Sequence, residues 1–509
     1  MLVDRIYEST QKFLNSVSKS KRKEIGQFFT PPSVARFMGS LMKYEKEHID
    51  VLDAGAGSGI LSASIMEEIL YNHKIKSVYL CLYENNDAVL PVLQTNMSFI
   101  KETLQNQGII FNYEIKSKNF IWDNIPFWRG EIGTNAALFD VIISNPPYKK
   151  INKDDLESKY MPEVVYGQPN IYFLFMAMSA KLLKQDGQMI FINPRSFSSG
   201  SYFHKFRKWF FDNIKLTNIH SFISREDVFN NDNILQETII IKAIKTDIPV
   251  KYIKVTKTEG TEDFYNISGF NVPYSTILNP DDKNNFMLIP TSEEDIEVIN
   301  FIHSWKENLI DLGYRLKTGP VVDFRSAEFL RKVQEPYTVP LFWAYNFENF
   351  RIKFPVSDEK KPQYIINSET SKRLLIKNKN YLYLKRFTSK EEKRRLQPVV
   401  YLAKHFPEYE LIGVENHLNY ITKTTGIMTE KELLGLFVII NSSVLDKYFR
   451  ILNGSTQVNA NEINSIPFPS KEDILELGAM IINKGDLSVE SCDMILESKY
   501  KKHQMLKAI

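Results

Sequence analysis

Two short segments of the chain combine residue types and turns that suit chemistry on a bound small molecule. The first reads VLDAGAGSGIL over 51–61: an apolar strand that ends in Asp53, a turn with Gly55, Gly57 and Gly59, and then a helix. Glycine permits a tight turn and lets a ligand approach the backbone, beside the partial positive charge of a helix N-terminus. The segment therefore predicts a binding loop, and a tight strand-to-helix turn without a ligand is the alternative.

The spacing of the glycines distinguishes two classes of ligand. The dinucleotide fingerprint G-x-G-x-x-G needs its third glycine at position 60, where the chain has Ile60. The observed D-x-G-x-G-x-G spacing is the pattern of S-adenosylmethionine (AdoMet) binding, since a carboxylate helps to hold the cationic amino-acid end of AdoMet. Glu84 ends the next apolar run and is placed to accept hydrogen bonds from both ribose hydroxyls. We therefore expect AdoMet as the cofactor.

The second segment is the tetrapeptide Asn145-Pro146-Pro147-Tyr148, which directly follows the apolar run FDVIIS. Two consecutive prolines stiffen the backbone and leave carbonyl groups without neighbouring N–H donors. The Asn145 side-chain oxygen and the Pro146 carbonyl could then accept the two hydrogens of a planar amino group, which raises the electron density on its nitrogen. Tyr148 could stack on the ring that bears the amino group. A proline-stiffened turn is the alternative.

The surrounding elements must hold these two segments together, and the first half of the chain indicates how. Five short apolar runs are typical of strands, at 51–55, 77–84, 139–144, 188–193 and 237–244. Helix-length segments separate several of them, at 58–71, 87–106 and 170–184. This alternation predicts an α/β, Rossmann-like, doubly wound and mostly parallel sheet that is covered on both faces. Both segments would then lie at the carboxyl edge of the sheet, where open α/β sheets bind ligands.

After about residue 245 the sequence changes character. Residues 246–305 are polar and turn-rich and indicate a connecting segment, whereas 306–470 interleave aromatic and basic residues with short strand-like runs. A tail over 471–509 has a helical pattern. We therefore predict a catalytic domain over 1–245 and a second domain of mixed α+β structure over 246–509.

The composition argues against several classes of protein. Hydrophobic residues make up 43% and charged residues 25% of the 509 residues, which is ordinary for a globular protein and not for a disordered or fibrous one. The formal net charge is only +3, so a polyanionic partner must be met by local basic patches. Two cysteines are too few for a disulfide scaffold or a cysteine-based zinc site, and no apolar run approaches the ~18 residues of a membrane span. We expect no metal, no membrane segment and a cytoplasmic location.

Three motifs in this order carry a family resemblance: GQFFTPP (26–32), DAGAGSG (53–59) and ISNPPY (143–148). They resemble the gamma-type N6-adenine DNA methyltransferases of type II restriction–modification systems. In the second half, stretches that look like the family's target-recognition domain are TGPVVDFR (318–325), YLYLKRFTSKEEKRR (381–395) and NGSTQVNANEINSIPFP (453–469). The resemblance implies an AdoMet-dependent enzyme that methylates the exocyclic amino group of an adenine flipped out of duplex DNA.

The resemblance also implies roles for residues around the methionine end of AdoMet. Thr30 would touch that end of the cofactor, and locally it is also typical of an N-cap before Pro31 and a helix. Asp53 and Gly55 would line the methionine pocket, and Gly57 would also bind the cofactor. Asn145 to Tyr148 would be the catalytic segment.

Further roles concern the ribose, the cofactor adenine and the substrate base. Glu84 would hold the ribose. Asn119-Phe120 stands where the family usually has Asp-Phe, and would grip and cover the cofactor adenine. Phe229, in the stretch EDVFNNDN, matches the aromatic residue that stacks on the flipped base together with Tyr148, and an ordinary core phenylalanine is the alternative.

The second half offers candidate DNA contacts. The stretch 381–400 interleaves aromatic residues with six basic residues against two acidic ones. Such a mixture suits phosphate contact and packing against bases or sugars, although a charge run is also typical of a solvated helix face. The polar stretch 453–464 offers amide and hydroxyl groups of the kind that read base edges. The candidate DNA-binding residues are Lys385, Arg386, Lys393, Arg394 and Arg395.

Together the motifs predict a sequence-specific adenine methyltransferase that acts on double-stranded DNA and protects host DNA. A cognate restriction endonuclease would be encoded separately, and no obligate protein subunit is implied. Two alternatives stay open: an RNA guanine-N2 methyltransferase, which also combines an AdoMet fold with an NPP-type motif, and a modification subunit of a multisubunit type I system, which has a similar length. Release-factor glutamine methyltransferases share the glycine turn and NPPY but resemble only a chain of roughly half this size.

Overall fold

A computed structural model describes residues 1–16, 30–131, 138–223, 237–261, 263–357, 360–389 and 391–500. The chain divides into two compact units, Met1–Thr291 and Ser292–Ile509, each of which is described by itself. No helix within the described ranges is long and apolar enough to cross a lipid bilayer.

The first unit is built on one nine-stranded sheet. Its strands are β1 (His48–Ala54), β2 (Ser77–Tyr83), β3 (Ile110–Lys116), β4 (Phe139–Ser144), β5 (Leu183–Pro194), β6 (Lys215–Phe222), β7 (Thr238–Ile244), β8 (Tyr252–Thr258) and β9 (Ser268–Pro273). Their order is β3-β2-β1-β4-β5-β7-β6-β8-β9. Neighbours from β3 to β5 run parallel, and so do β6 and β8, whereas β7 and β9 run antiparallel to their neighbours. The predicted doubly wound, mostly parallel α/β class is confirmed.

Helices cover both faces of this sheet. They are α1 (Leu2–Ser16), α2 (Pro32–Ser40), α3 (Ile60–Tyr71), α4 (Leu90–Asn106), α5 (Phe120–Trp128), α6 (Leu156–Tyr160), α7 (Ile171–Leu182), α8 (His204–Asn213) and α9 (Tyr274–Ile277). Val51 and Val141 belong to the core that α1 to α4 share with the sheet. The next residues along the same strands, Leu52 and Ile142, are fully buried as well. Because successive strand residues point to opposite faces, the central strands are enclosed on both sides.

The strand order brings the two predicted functional segments together. From β1 the chain runs outward to β2 and β3 and then crosses back to β4, which pairs with the other side of β1. Such a reversal leaves a crevice at the carboxyl ends of the two strands. The glycine turn follows β1 and Asn145-Pro146-Pro147-Tyr148 follows β4, so both lie at this crevice.

The structure corrects the predicted domain boundary at residue 245. Strands β8 and β9 lie inside the supposed connecting segment 246–305, yet they are the last two strands of the first sheet. The first compact unit therefore ends at Thr291. These strands lie near the edge of the sheet and are only half buried, so their alternation of apolar and polar residues resembles a polar linker by composition.

The second unit contains short strands and helices in a mixed arrangement, as predicted. Its helices are α10 (Glu293–His303), α11 (Glu430–Asn441), α12 (Ser443–Leu452), α13 (Ala460–Ser465), α14 (Lys471–Lys484) and α15 (Val489–Tyr500). Its strands are β10 (Glu307–Asn308), β11 (Tyr314–Thr318), β12 (Leu330–Arg331), β13 (Thr338–Phe342), β14 (Phe347–Glu348), β15 (Arg351–Ile352), β16 (Tyr364–Ile366), β17 (Leu375–Lys377), β18 (Tyr381–Lys385), β19 (Pro398–Tyr401), β20 (Leu411–Val414), β21 (Leu418–Lys423) and β22 (Pro467–Phe468).

Two larger sheets organise this second unit, beside a two-stranded sheet of β10 and β22. One has six strands in the order β11-β21-β18-β19-β15-β14, and the other has five in the order β12-β16-β13-β20-β17. Aromatic residues such as Phe342, Tyr383 and Tyr401 fill a core between strands of both sheets. In the six-stranded sheet β21 runs antiparallel to both β11 and β18, so the ends of β11 and β18 lie beside the start of β21.

Candidate active site

A cavity opens at the carboxyl edge of the first sheet, where the loops after β1, β2, β3 and β4 meet. We call it the carboxyl-edge cavity. Its lining includes residues from each of the predicted cofactor and catalytic segments: Thr30, Gly55, Gly57, Glu84, Asn119, Phe120, Asn145, Pro146 and Pro147. Segments that are far apart in the sequence therefore share one cavity.

The loop between β1 and α3 needs glycine for its conformation. Gly55, Gly57 and Gly59 have φ angles of +91°, +55° and +87°, a region that side chains other than glycine rarely adopt. At Gly59 a Cβ atom would also lie 2.5 Å from Cε of Met97 and 3.1 Å from Cδ1 of Leu93, both on α4. The loop thus combines a left-handed backbone with close packing against a helix.

Asp53 ends the apolar part of β1 but is not among the residues that line the cavity. Its side chain is fully buried, and its Oδ2 accepts a hydrogen bond from the Ser62 hydroxyl at 2.6 Å. Its Oδ1 has no hydrogen-bond partner among the described residues. Burial raises the pKa of Asp53 to about 7, against the hydrogen bonds from Ser62, which lower it. The prediction that Asp53 lines the pocket is corrected, because the glycine loop that follows it forms the wall instead.

Glu84 supplies a carboxylate that does line the cavity. Its Oε2 accepts from the backbone N–H of Gly57 at 2.9 Å, and its Oε1 accepts from the backbone N–H of Asn86 at 2.8 Å. Only 3% of the residue is exposed. These bonds hold the carboxylate in one orientation, and they tie the glycine loop to the loop after β2.

Asn119 and Phe120 close the cavity beyond Glu84. Asn119 is the N-cap of α5, and its Oδ1 accepts from the backbone N–H of Trp122 at 3.1 Å. Phe120 is 2% exposed, and its ring centroid lies 5.0 Å from that of Phe175 on α7. An amide and an aromatic wall therefore meet at this end of the cavity.

The side chain of Asn145 is held from two sides. Its Nδ2 donates to Oγ1 of Thr30 at 3.2 Å, and its Oδ1 accepts from the hydroxyl of Tyr148 at 2.9 Å. The same hydroxyl lies 3.1 Å from the carbonyl oxygen of Ile192 on β5. Burial raises the pKa of Tyr148 well above its usual value, so the hydroxyl keeps its proton and acts as the donor. Tyr148 is half-buried next to the cavity rather than in its lining.

One prediction near this site is wrong, and two others concern residues that the structure does not describe. The N-cap predicted at Thr30 is wrong, because α2 begins at Pro32, Pro31 occupies the cap position, and no side chain caps the helix. Thr30 instead is 2% exposed and binds Asn145. Phe229 and the GQFF part of the first motif lie outside the described residues.

The N-terminal helix supports the glycine loop, a contact that the sequence motifs do not indicate. The hydroxyl of Thr10 donates to Oγ of Ser58 at 2.7 Å, and Ser58 lines the cavity. Leu2, Val3 and Ile6 are buried on the same helix. Their recurrence at helical spacing was the available signal, and it predicts a buried helix face although not the partner of Thr10.

In the second unit, Arg395 does not lie at a surface. It is 1% exposed, and its Nη2 donates to Oδ1 of Asn453 at 3.1 Å and to the carbonyl oxygen of Ser455 at 2.7 Å. Its Nε donates to Oγ1 of Thr388 at 3.1 Å. The prediction that Arg395 contacts DNA is therefore wrong, because its guanidinium satisfies buried oxygens within the unit.

Arg394 is also largely enclosed. Its side chain is 16% exposed, and its Nη2 donates to the carbonyl oxygens of Asn441 and Ser442. The remaining predicted DNA contacts have accessible side chains: Lys393 is exposed, and Lys385 and Arg386 are half-buried. These three stay candidates for contact with nucleic acid.

Comparison with known proteins is consistent with this architecture. A model of the Eco57I restriction-modification methylase family matches residues 64–229. The type II methyltransferase M.BsuBI of Bacillus subtilis is 33% identical over 490 residues, which cover 94% of this chain and 95% of that protein. The type II methyltransferase M.PstI of Providencia stuartii is 32% identical over 97% of this chain and 96% of its own length. The cryo-EM structure of a DrdV–DNA complex shares the fold, with a TM-score of 0.50 and 12% identity over 90% of this chain and 56% of that one.

These similarities extend through both compact units and are not confined to the glycine turn or the NPPY segment. The membership in restriction–modification methyltransferases that the motifs predicted is thereby confirmed. At this identity over nearly the full length of both relatives, the chain belongs to the type II methyltransferases of restriction–modification systems.

Proposed function

We propose that the protein transfers the methyl group of AdoMet to the N6 amino group of an adenine in double-stranded DNA. The observation that carries this proposal is the amide of Asn145 at the carboxyl-edge cavity. Its carbonyl oxygen is oriented by Tyr148 and its nitrogen by Thr30. An acceptor that is positioned before the substrate arrives costs no reorganisation during the reaction.

The order of the strands supports AdoMet as the cofactor. Asn145, Gly55, Glu84 and Asn119 follow β4, β1, β2 and β3, which are neighbours in that order. Neighbouring strands lie about 4.8 Å apart, so the four loops span about 14 Å. That row suits an elongated molecule with an amino-acid end, a ribose and an adenine. Glu84 would accept the ribose hydroxyls, and Asn119 with Phe120 would hold and cover the adenine.

Asp53 supports the same cofactor through its charge. A buried carboxylate whose Oδ1 lacks a partner among the described residues is stabilised by a nearby positive charge. AdoMet carries an ammonium group and a sulfonium centre, whereas a dinucleotide would bring a negatively charged pyrophosphate. When bound, AdoMet supplies a methyl group on positively charged sulfur, which is an electrophilic carbon.

The catalytic segment would act on the nucleophile. The amino nitrogen of adenine is a poor nucleophile, because its lone pair is delocalised into the ring. Oδ1 of Asn145 and the carbonyl oxygen of Pro146 would accept its two hydrogens and shift electron density back to nitrogen. The nitrogen would then be able to attack the methyl carbon, with the sulfur as the leaving group and one amino proton lost to solvent.

The base must leave the DNA helix for this reaction, since an amino group inside the stacked duplex cannot meet a methyl donor. Stacking on the ring of Tyr148 would offset part of the cost of flipping, which is a few kcal/mol. The second unit would then bind the duplex and select the site, because phosphate contacts position a protein and base contacts specify sequence.

The test is to follow methyl transfer with AdoMet that carries a labelled methyl group, and to identify the product nucleoside by mass spectrometry. We expect N6-methyladenine in duplex DNA, and we expect Asn145→Ala to abolish it while AdoMet binding persists. Asn152→Ala, which changes an exposed asparagine in the loop that follows, is the matched control and should retain activity. Methylated cytosine, or better transfer to structured RNA than to duplex DNA, would refute the proposal.

A further inference from the structure

Three stretches of the second unit that resemble a recognition domain in sequence meet at one end of the six-stranded sheet. The segment after β11 and the segment before β21 lie side by side, since the N–H of Asn416 donates to the carbonyl of Val321 at 2.8 Å. The segment after β18 joins them through a bond from Arg386 N–H to His417 carbonyl at 2.9 Å. The loop before α13 joins in turn, through a bond from Val458 N–H to the Arg386 carbonyl at 2.7 Å.

We call the surface formed by 319–325, 386–388, 415–417 and 455–458 the strand-end surface. We infer that it is the face that binds duplex DNA, with Arg386 and Phe387 against the backbone and the loop 455–458 directed at base edges. This inference rests on the proposed function and names the part of the second unit that would perform it.

The exposed groups of this surface pair arginine with phenylalanine. Phe387 is 40% exposed, the guanidinium of Arg386 lies 5.2 Å from its ring centroid, and the ring of His417 lies 5.0 Å from it. Phe324 is 75% exposed with Arg325 at 5.3 Å. Large apolar rings that face water cost free energy unless a partner covers them, and guanidinium–aromatic pairs suit a partner with phosphates, sugars and bases.

A buried polar network holds the loop 455–458 in place. The guanidinium of Arg395 binds the carbonyl of Ser455 and Oδ1 of Asn453, and Nδ2 of Asn453 donates to the carbonyl of Gln457 at 2.9 Å. From the sheet side, Nδ2 of Asn419 donates to the carbonyl of Val458 at 2.7 Å. Arg395, Asn453 and Asn419 are each at most 2% exposed.

Burying an arginine and two amides is costly unless every group is satisfied, and satisfied networks of this kind make a segment rigid. The network binds the main-chain carbonyls of Ser455, Gln457 and Val458, and also the Ser455 hydroxyl, which lies 3.4 Å from both Nδ2 and Oδ1 of Asn453. Thr456 is exposed and Gln457 is half-buried. A rigid loop that presents a hydroxyl and an amide is suited to hydrogen-bond readout of base edges.

The test measures binding of the full-length protein, with AdoMet present, to a fluorescein-labelled duplex that carries the site methylated in an expression host. Nη1 of Arg386 donates to the carbonyl of Asn416 at 3.1 Å, so Arg386→Gln keeps a donor there but removes the charge. Phe387→Ala removes the ring, and Gln457→Ala removes the amide. We expect each of the first two to weaken binding about tenfold, and Gln457→Ala to relax the choice of methylated site. Arg315→Ala is the control, since Arg315 is exposed at the opposite end of β11.

All variants should retain the melting temperature and the AdoMet affinity of the wild type, because these side chains lie at the surface of the second unit. The inference is overturned when the wild type binds the duplex but all three variants bind and select sites as Arg315→Ala does. It is also overturned when structured RNA competes with the duplex on equal terms. A wild type without affinity for duplex DNA would refute the proposed function itself, which is a separate and recognisable result.

Discussion

Asp53 is a carboxylate whose charge the fold disfavours. Burial raises its pKa from 3.8 to about 7, so the folded protein holds a proton that the unfolded chain has lost between these values. The contribution of this group to stability therefore falls as pH rises through that window. Above about pH 7 the full unfavourable free energy of burying the ionised carboxylate is present. A bound cation such as AdoMet would favour the carboxylate and recover part of that cost.

Asp53→Asn should for this reason stabilise the free protein and weaken cofactor binding. The amide can still accept the hydrogen bonds from Ser62, so the melting temperature should exceed that of the wild type at about pH 8, with a smaller gain at about pH 5. AdoMet affinity should fall severalfold at about pH 8, because the variant lacks the buried negative charge that attracts the cationic cofactor through space. Thermal melting and calorimetry across pH check both parts. Equal AdoMet affinity of variant and wild type would show that Asp53 does not contribute to cofactor binding.

The proposed function gives Tyr148 two roles, orienting Asn145 and stacking on the base, and two substitutions distinguish them. Tyr148→Phe keeps the ring but removes the hydrogen bond to Oδ1 of Asn145, so the turnover number should fall about fivefold for a loss of ~1 kcal/mol. Tyr148→Ala removes the ring as well and should add the loss of base stacking, which is worth ~1–3 kcal/mol. Single-turnover kinetics with labelled AdoMet measures both. Identical rates for the two variants would show that the ring does not meet the base.

At the scale of elements, the loop between β1 and α3 is a sensitive connection because it needs both an unusual backbone and free space. Gly59→Ala should destabilise the protein through a φ of +87°, at about 1–2 kcal/mol, and through contact with Met97 and Leu93 on α4. Gly108→Ala is the matched control, since Gly108 has a φ of +77° but a Cβ there would meet no atom of the described residues within 4 Å.

The difference between the two glycine variants in denaturant unfolding therefore reports the packing of the loop against α4. Only Gly59→Ala should also weaken AdoMet binding, because Gly108 lies in the turn between α4 and β3, away from the residues that line the cavity. Comparable losses of stability and affinity in both variants would show that backbone strain alone matters at these sites.

At the scale of the whole molecule, the end of the first unit decides which fragment can fold. Strand β8 buries Ile253 and Val255, and the hydroxyls of Thr256 and Thr258 bind the ring nitrogens of His220 on β6 at 2.9 and 3.2 Å. Burial lowers the pKa of His220 to about 4, as expected for an enclosed neutral ring. Removal of β8 and β9 would expose this histidine and leave β6 with an unpaired edge.

A fragment of residues 1–291 should therefore melt cooperatively and bind AdoMet, yet it should lose selectivity for the DNA site. A fragment of residues 1–245 should aggregate or melt at a much lower temperature, since exposed strand edges promote association. Circular dichroism, light scattering and calorimetry compare the two. Equal stability of both fragments would show that the first unit can fold when it ends at residue 245.

The sequence by itself determined the features that reside in contiguous residues. The glycine spacing, the acid at the end of the next apolar run and the NPPY segment each require particular residues at fixed local distances, so they are visible without a structure. The central strands β1, β2, β4, β5 and β7 were also predictable, because strands buried on both faces are almost continuously apolar.

Only the tertiary structure decided which of these residues meet, and whether each one lines the carboxyl-edge cavity or is buried behind its wall. Thr30 and Asn145 are 115 residues apart in sequence, and their bond orients the amide that we propose as catalytic. Arg395 looked like a surface cation within a basic run, yet contacts with Asn453 and Ser455 enclose it. Burial and partnership of this kind depend on residues that are distant along the chain, and a local pattern carries no information about them.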